Sequence, residues 1–185
     1  YGTIEEPFRP AELTFGARGT FFGRLLDVDL KNAQQVMLAA AQHKGTSVIE
    51  CLVNCVIFND GAHSWLGEKN TRPDKMVFLE HGKPMIYGVA NDKGLILENG
   101  QLKAVTIGEN GITEADILVH DARNPNPTLQ WELAMMQGPD MPIALGIIRD
   151  VEAESYNDAM DRQIAEVKEK SRVTCFDDLV DSLEQ

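Results

Sequence analysis

An amphipathic helix flanked by two apolar runs fills residues 20–53, and this order of elements constrains the fold more than any other feature of the chain. The runs are Thr-Phe-Phe-Gly-Arg-Leu-Leu at residues 20–26 and Ser-Val-Ile-Glu-Cys-Leu-Val at residues 47–53. The second run has few polar breaks, which is typical of a strand buried in a parallel sheet. A strand, a helix and a second strand in this order form one right-handed crossover between parallel strands. The sequence therefore predicts an α/β fold with a parallel sheet.

The helix of this unit is predicted to run from Leu30 to Lys44. Asp29 precedes it as a candidate cap, and Gly45 follows it as a stop. A shorter helix, Pro10 to Ala17, is predicted before the first strand, because proline favours the first turn of a helix. The apolar positions of the longer helix recur at the helical spacing and are expected to face the sheet; they are Leu30, Ala33, Val36, Met37, Ala40 and Ala41.

One crossover does not make a sheet, so further strands are expected to precede Tyr1. The chain does not begin with Met, and residues 1–8 contain neither the basic nor the apolar segment of a secretion signal. We therefore expect the chain to be the later part of a longer protein. Residues 1–60 would then form the end of its α/β domain.

Residues 61–185 have a different texture and are expected to form a small, β-rich α+β extension. Residues 61–74 are polar and rich in turn-forming residues. Asn99-Gly100 stands between two short apolar segments and is the pair preferred in a two-residue hairpin turn. Ser155 with Asp158 forms a capping start for the last predicted helix. Strands are predicted at residues 75–79, 83–88, 93–97, 102–107 and 143–148, and helices at residues 113–118, 128–136 and 155–170.

The charge and the cysteine content exclude several classes of function. Lys and Arg total 17 against 29 Asp and Glu, a formal net charge of -12, so the chain repels phosphate backbones and anionic membranes. No apolar stretch approaches the roughly 20 residues that cross a bilayer. Three cysteines are too few for a disulfide framework. The composition indicates a soluble protein of a reducing cytoplasm.

The common catalytic motifs are missing from the sequence. It contains no phosphate-binding G-x-x-x-x-G-K-[ST] loop, no G-x-G dinucleotide turn and no G-x-S-x-G nucleophile elbow. Its paired carboxylates, such as Glu152 with Glu154, are better explained as capping or solvated groups, because no apolar surroundings isolate them. By its own motifs this chain is not a complete catalyst.

Cys55 is the residue with the clearest chemical potential, because it lies where the second apolar run passes into a polar loop. The carboxyl end of a strand is where α/β sheets bind their ligands. Cys51 is expected to be a core thiol, and the two cysteines lie roughly 13 Å apart if both remain in the strand. Cys55 is therefore either an ordinary buried thiol or part of a site completed elsewhere. Zinc held by Cys51, Cys55, His63 and Cys175 is a third reading.

Several ordered segments closely resemble the thiamine-diphosphate-binding beta subunit of 2-oxoacid:ferredoxin oxidoreductases, most of all the 2-oxoglutarate type. The likeness covers nearly the whole chain. The segments that carry it are Pro-Phe-Arg-Pro-Ala-Glu-Leu at 7–13, Gly-Ala-Arg-Gly-Thr-Phe at 16–21, Asp-Val-Asp at 27–29, His-Lys-Gly-Thr-Ser at 43–47, Asn-Cys-Val-Ile-Phe-Asn-Asp-Gly at 54–61, Leu-Glu-His-Gly-Lys-Pro at 79–84, Gly-Glu-Asn-Gly-Ile-Thr at 108–113 and Leu-Val-His-Asp at 118–121.

The resemblance implies a site residue. In that family a cysteine followed by a short apolar stretch and Phe-Asn supplies the fourth thiolate of a [4Fe-4S] cluster, and Cys55 with Phe58 and Asn59 matches this pattern. Asn59 and Asp60 become candidates for cofactor binding through their adjacency, with turn formation as the alternative. The other three cluster cysteines and the Gly-Asp-Gly segment that holds Mg²⁺ and thiamine diphosphate have no counterpart here.

The resemblance also implies partners and a reaction. The intact enzyme would join this subunit to an alpha subunit, convert a 2-oxoacid and coenzyme A to an acyl-coenzyme A, and reduce ferredoxin. The chain alone is expected to retain no cofactor and to be inactive. Two alternatives remain: an enzyme of the same family that acts on pyruvate or a branched-chain 2-oxoacid, and a non-catalytic module that docks on a partner subunit with Cys55 buried.

Overall fold

The computed structural model describes residues 4–137, 140–171, 173 and 175–183. The chain divides into two units, Tyr1–Glu152 and Ala153–Gln185. The elements of the first unit are α1 (Pro10–Gly16), β1 (Phe21–Leu26), α2 (Leu30–Gln42), β2 (Ser47–Leu52), β3 (Met76–Leu79), β4 (Ile86–Tyr87), β5 (Lys93–Glu98), β6 (Gln101–Thr106), α3 (Thr128–Met135) and β7 (Ile143–Asp150). The second unit contains α4 (Tyr156–Lys170) and α5 (Phe176–Leu183).

The main sheet of the first unit has four strands in the order β2-β1-β7-β3. β1 and β2 are parallel neighbours joined by α2, as predicted. β3 and β7 are also parallel, but β7 runs antiparallel to β1. The α/β class and the parallel pair β1–β2 are therefore confirmed, but the sheet as a whole is mixed. An apolar run such as residues 143–148 reveals a strand but not its direction.

Two glycines allow close packing in this sheet. Gly146 of β7 has φ +96, and a Cβ atom there would lie 2.5 Å from the carbonyl oxygen of Leu79 on β3. A β-bulge follows along the same strand, where the register with β1 shifts between Phe22 and Gly23. A Cβ atom on Gly23 would lie 2.6 Å from a methyl carbon of Val36 on α2. The glycines thus permit the close approach of β3 and of α2 to the central strands.

The central strand β1 is buried along its whole length. On one side Phe22 joins a core with α1, α3, β3 and β7, in which the Phe15 and Phe22 rings lie 5.7 Å apart. On the other side Leu25 packs against Ala33 and Val36 of α2. This double burial explains why residues 20–26 carry so few polar side chains.

Two predictions about the flanking elements are wrong. Leu30 and Met37 of α2 are 77% and 57% exposed, so the helix buries the narrower stripe formed by Ala33 and Val36. β2 lies at the edge of the sheet with β1 as its neighbour, and Cys51 is exposed instead of lying in the core. Among the described residues β2 has β1 as its only neighbouring strand, and this edge position accounts for the exposure of Cys51.

The second sheet of this unit has three strands in the order β4-β5-β6. The predicted hairpin is confirmed: Glu98 pairs with Gln101, and Asn99 and Gly100 have φ 52 and 80, as a two-residue turn with left-handed residues requires. The helix predicted at residues 113–118 is a single 3₁₀ turn, Glu114–Asp116, with a capping box between Thr113 and Asp116. Among the described residues after residue 60 there are five strands, β3 to β7, and three α-helices, α3 to α5, so the β-rich character of the extension stays a prediction.

A buried polar link joins three elements at the amino-terminal edge of β1. The imidazole of His43 lies 2.8 Å from a carboxylate oxygen of Asp150 and 2.9 Å from the hydroxyl of Thr20. The His43 side chain is 2% exposed and lies against the ring of Phe21. Because the end of α2, the start of β1 and the end of β7 all take part, the link fixes the crossover relative to the sheet.

The second unit is helical. Ser155 caps α4 by accepting a hydrogen bond of 3.1 Å from the backbone N–H of Asp158, which confirms the predicted start. The apolar stripe of α4 is exposed, with Tyr156 at 76% and Val167 at 62%. α5 was not predicted from the sequence. No helix in the described ranges is both long and apolar enough to cross a membrane.

The main sheet takes strands from both sides of residue 60, where the sequence places the junction between domain and extension. β1 and β2 precede that residue, and β3 and β7 follow it. The division into residues 1–60 and 61–185 stays a prediction about the whole protein.

Candidate functional site

Cys55 lies in a tight turn just after β2. The strand ends at Leu52, and the chain then leaves the sheet at the carboxyl edge of β1 and β2. Cys55 and Asn59 form an isolated antiparallel bridge, in which the Asn59 backbone N–H donates to the Cys55 carbonyl over 2.9 Å. The bridge closes residues 55–59 into a loop and exposes the Cys55 side chain. Cys55 is thus not a buried core thiol, and that reading of it is contradicted.

The backbone of this loop changes the pKa of the Cys55 thiol. Hydrogen bonds from the backbone of Phe58, Ile57 and Asn59 lower the pKa of the Cys55 thiol, and the largest effect comes from Phe58. Such donors favour the thiolate, which is the form that binds metals. Cys51 behaves in the opposite way, because burial and the negative charge of Asp27 raise the pKa of its thiol. Of these two neighbouring cysteines, Cys55 is the one whose surroundings suit a metal ligand.

Asn54 holds the base of the loop closed. Its side-chain amide donates to a carboxylate oxygen of Asp60 over 2.9 Å, and its side-chain oxygen accepts from the backbone N–H of Gly61 over 2.8 Å. Gly61 has φ +78, a conformation that favours glycine. This role of Asn54 was not predicted from the sequence, although an Asn before a turn that ends in Asp-Gly is a recognisable signal for side-chain to backbone bonding.

Asn59 and Asp60 are brought into the same loop. Asn59 acts there through its backbone, and Asp60 is bonded to Asn54. These contacts are the turn-forming roles that the sequence offered as the alternative. Whether either residue also contacts a cofactor stays a prediction.

The thiol is surrounded by exposed apolar side chains. Val56, Ile57 and Phe58 are 72%, 82% and 90% exposed, and Val53 before them is 51% exposed. Large apolar residues clustered at such exposure are typical of an interaction surface. An Fe–S centre bound to Cys55 would therefore lie against an apolar shell, and solvent exposure is one of the factors that set its potential.

The hypothesis of a zinc site is not supported by the positions of its four candidate ligands. Among the described residues, no group of three or more His, Cys, Asp and Glu side chains is placed to hold a metal ion. Cys51, Cys55, His63 and Cys175 do not form such a group.

The residues present fit one corner of an iron–sulfur cluster and no part of a thiamine diphosphate site. An exposed cysteine with backbone donors directed at its sulfur fits one thiolate position of a cluster that needs four. The sequence holds no Gly-Asp-Gly segment for Mg²⁺ and diphosphate. Cys55 is therefore the candidate cluster ligand that the described residues offer.

Comparison with known proteins gives one clear relative. The chain is 34% identical over 165 residues to the 2-oxoglutarate oxidoreductase subunit KorB of Mycobacterium tuberculosis. The aligned region covers 88% of this chain but 43% of the relative, so the chain spans less than half the length of the protein it matches. No family model and no solved structure matches it.

Proposed function

We infer that this chain is the carboxyl-terminal part of a beta subunit of a 2-oxoacid:ferredoxin oxidoreductase. The sequence resemblance predicted this kinship, and the KorB relative supports it. The observation that carries the proposal is the 34% identity through nearly the whole chain. The Cys55 turn supports the proposal, because Cys55 is exposed and the pKa of its thiol is lowered at the position where the resemblance predicts a cluster ligand.

The proposed reaction of the intact enzyme is the oxidative decarboxylation of a 2-oxoacid. The carbon–carbon bond to the carboxylate breaks and carbon dioxide leaves. The acyl group joins the sulfur of coenzyme A, and the two electrons released pass singly to ferredoxin. Thiamine diphosphate with Mg²⁺, bound by the remainder of the enzyme, would supply the electron sink for the decarboxylation. The alpha subunit would complete the assembly.

Within this reaction Cys55 is proposed as the fourth thiolate of a [4Fe-4S] cluster. The backbone donors of residues 57–59 would remain on its sulfur when iron binds, and hydrogen bonds to sulfur are among the factors that set a cluster's potential. Asn54 would hold the loop in the conformation that directs these donors at the sulfur. Asn59 and Asp60 are proposed as neighbours of the cofactor through their position in the loop.

Replacing Cys55 tests this assignment directly. In the full-length subunit with its alpha partner, Cys55→Ala is expected to lower the iron and acid-labile sulfide content to near zero and to abolish ferredoxin reduction. Cys51→Ala is the matched control, because Cys51 is an exposed cysteine four positions away, and it should keep both. A Cys55→Ala enzyme with an unchanged iron content would contradict the proposal.

The substrate is proposed to be 2-oxoglutarate, with pyruvate and branched-chain 2-oxoacids as alternatives. The support is the name of the KorB relative. Ferredoxin-reduction rates of the full-length enzyme with the three substrates, each with coenzyme A, would decide between them. A higher kcat/KM for pyruvate or a branched-chain acid would replace the 2-oxoglutarate assignment and leave the family assignment intact.

A non-catalytic docking module is the second candidate function, and the exposed apolar residues 56–58 favour it. Alkylation separates the two candidates in the assembled complex. A Cys55 bound to iron resists alkylation until the cluster is removed, whereas a docking surface shields it whether or not iron is present.

A further inference from the structure

A cavity of about 840 Å³ lies in the first unit beside the carboxyl end of β2. Its walls come from both sheets of that unit and from residues 136, 137 and 140–142, which lie between α3 and β7. A water molecule occupies about 30 Å³ in the liquid, so this space is far larger than a packing defect. It falls in the range of about 300–1,000 Å³ that is typical of small-molecule sites.

One part of the cavity wall is apolar. Leu52, Val105 and Ile143 contribute aliphatic surface, and Trp65, 43% exposed, contributes an indole ring. A wall of this kind stabilises the binding of a ligand with an apolar body, and the stabilisation is proportional to the apolar area removed from water. It offers nothing to a small, fully hydrated ion.

A second part of the wall carries charges. Glu50 accepts from Arg24 over 2.6 Å, and Asp74 accepts from Lys93 over 2.8 Å, so each of these carboxylates already has a cation. Lys75 adds a further positive charge, and its ammonium donates to the neutral carbonyl of Trp65 over 3.0 Å. Asp140, on the connection between α3 and β7, is the remaining carboxylate of the wall and is exposed. The corner formed by Asp74, Lys75 and Lys93 thus holds two cations and one anion.

Tyr87 brings a hydroxyl group to the same cavity. Its side chain is buried, and burial, with the charges of Asp74 and Asp92, raises the pKa of the phenol. The hydroxyl therefore stays protonated near neutral pH and is able to donate a hydrogen bond.

We propose that this cavity binds an organic anion whose apolar body lies against Trp65 and Val105 and whose anionic group pairs with Lys75 and Lys93. The ligand class joins a carboxylate, phosphate or sulfonate group to an apolar or aromatic body. The corner carries one net positive charge in a chain whose net charge is -12. The site is independent of the proposed role of Cys55.

A pair of dyes that differ in one group tests the proposal with the 185-residue chain. The probes are 8-anilinonaphthalene-1-sulfonate and N-phenyl-1-naphthylamine, which share the aromatic body but differ in the sulfonate. We expect one molecule of the sulfonate to bind per chain. Its dissociation constant should be at least about tenfold lower than that of the neutral dye, because a hydrogen bond to a charged group typically changes affinity by at least this factor. Equal affinities for the two dyes would overturn the proposal.

Variants of the cationic corner locate the charge. Lys75→Gln and Lys93→Gln should each weaken binding of the sulfonate and leave binding of the neutral dye unchanged, which also shows that the fold is intact. Lys103→Gln is the matched control, because Lys103 lies outside the cavity, half exposed, in an ion pair with Glu98. A loss of equal size in Lys103→Gln would show a diffuse surface effect and overturn the assignment.

A variant that fills the cavity tests the location without changing charge. Val105→Trp should abolish binding of both dyes, whereas Gln101→Trp, at an exposed position on the same strand, should not. Unchanged dye binding in Val105→Trp would place the dyes elsewhere and overturn the proposal. Loss of the iron centre in Cys55→Ala would not affect these results, so failure of this proposal and failure of the proposed function are distinguishable.

Discussion

His120 shows how burial decides the chemistry of a single side chain. It is 1% exposed, and its Nε2 lies 2.8 Å from the carbonyl oxygen of Ile147. Its Nδ1 has no hydrogen-bond partner among the residues that the structure describes. Burial lowers the pKa of His120, and nearby His81 lowers it further, although the Ile147 bond and Asp121 oppose the shift. At neutral pH the lowered pKa favours the neutral imidazole, and the Ile147 carbonyl favours the tautomer with its proton on Nε2.

The pKa of His120 predicts a dependence of stability on pH. An unfolded histidine titrates near pH 6.5, and the folded one titrates lower, so the unfolded state binds more protons between the two values. The contribution of His120 to the free energy of unfolding should be fully present above about pH 6.5 and should be lost as the pH falls to the folded pKa. The total loss is about 1.4 kcal/mol for each unit by which the two pKa values differ. Urea unfolding at pH 7.5, 6.5 and 5.5 measures it.

The control for this prediction is a non-titrating side chain at the same place. His120→Gln keeps an N–H donor for Ile147 and should reduce the loss of stability below pH 6.5. His63→Gln, in the loop after Cys55, should retain the wild-type pH profile. Identical profiles for wild type and His120→Gln would assign the acid sensitivity to other groups.

The path of β7 between β1 and β3 depends on Gly146. At φ +96 an L residue is strained, and the 2.5 Å approach of a Cβ atom to the Leu79 carbonyl leaves no room for one. We expect Gly146→Ala to lower the free energy of unfolding by more than about 2 kcal/mol, from the combined strain and clash. Gly16→Ala, where a Cβ atom would meet nothing within 4 Å, should be neutral or slightly stabilising. Similar urea midpoints for the two variants would refute the role given to Gly146.

The elements that the sequence predicted well are those whose signal is local. The Asn99-Gly100 turn, the cap at Ser155 and the crossover through α2 depend on a few neighbouring residues, and all three are confirmed. The exposed face of α2, the edge position of β2 and the reversed direction of β7 depend on which strands lie next to one another, so the pattern within each segment could not reveal them.

The candidate site was predictable only in part. The pattern around Cys55 identified the residue through a resemblance, but the bonds from Asn54 that close the loop depend on its three-dimensional path. The cavity at Lys75 and Lys93 was invisible in the sequence, because its walls come from distant segments such as residues 24, 65, 105 and 143.

The whole chain is predicted to be an incomplete catalyst. Cys55 is proposed to supply one cluster thiolate, and the sequence holds no Gly-Asp-Gly segment, so we expect the purified chain to be colourless, to bind no thiamine diphosphate and to reduce no ferredoxin. Visible absorption, iron content and calorimetry with thiamine diphosphate and Mg²⁺ check this. An as-purified chain with cluster absorption and stoichiometric iron would contradict it, and reconstitution with iron and sulfide is not expected to change the result.

The edge position of β2 has a practical consequence for handling the protein by itself. The outer edge of this strand carries a row of backbone N–H and C=O groups with which another extended segment can pair. The exposed apolar turn at residues 56–58 follows shortly after the strand. A solution of the separate chain should accordingly cluster at high concentration through intermolecular strand pairing. Dilute storage, or co-production with a polypeptide that covers the edge of β2, should prevent this association.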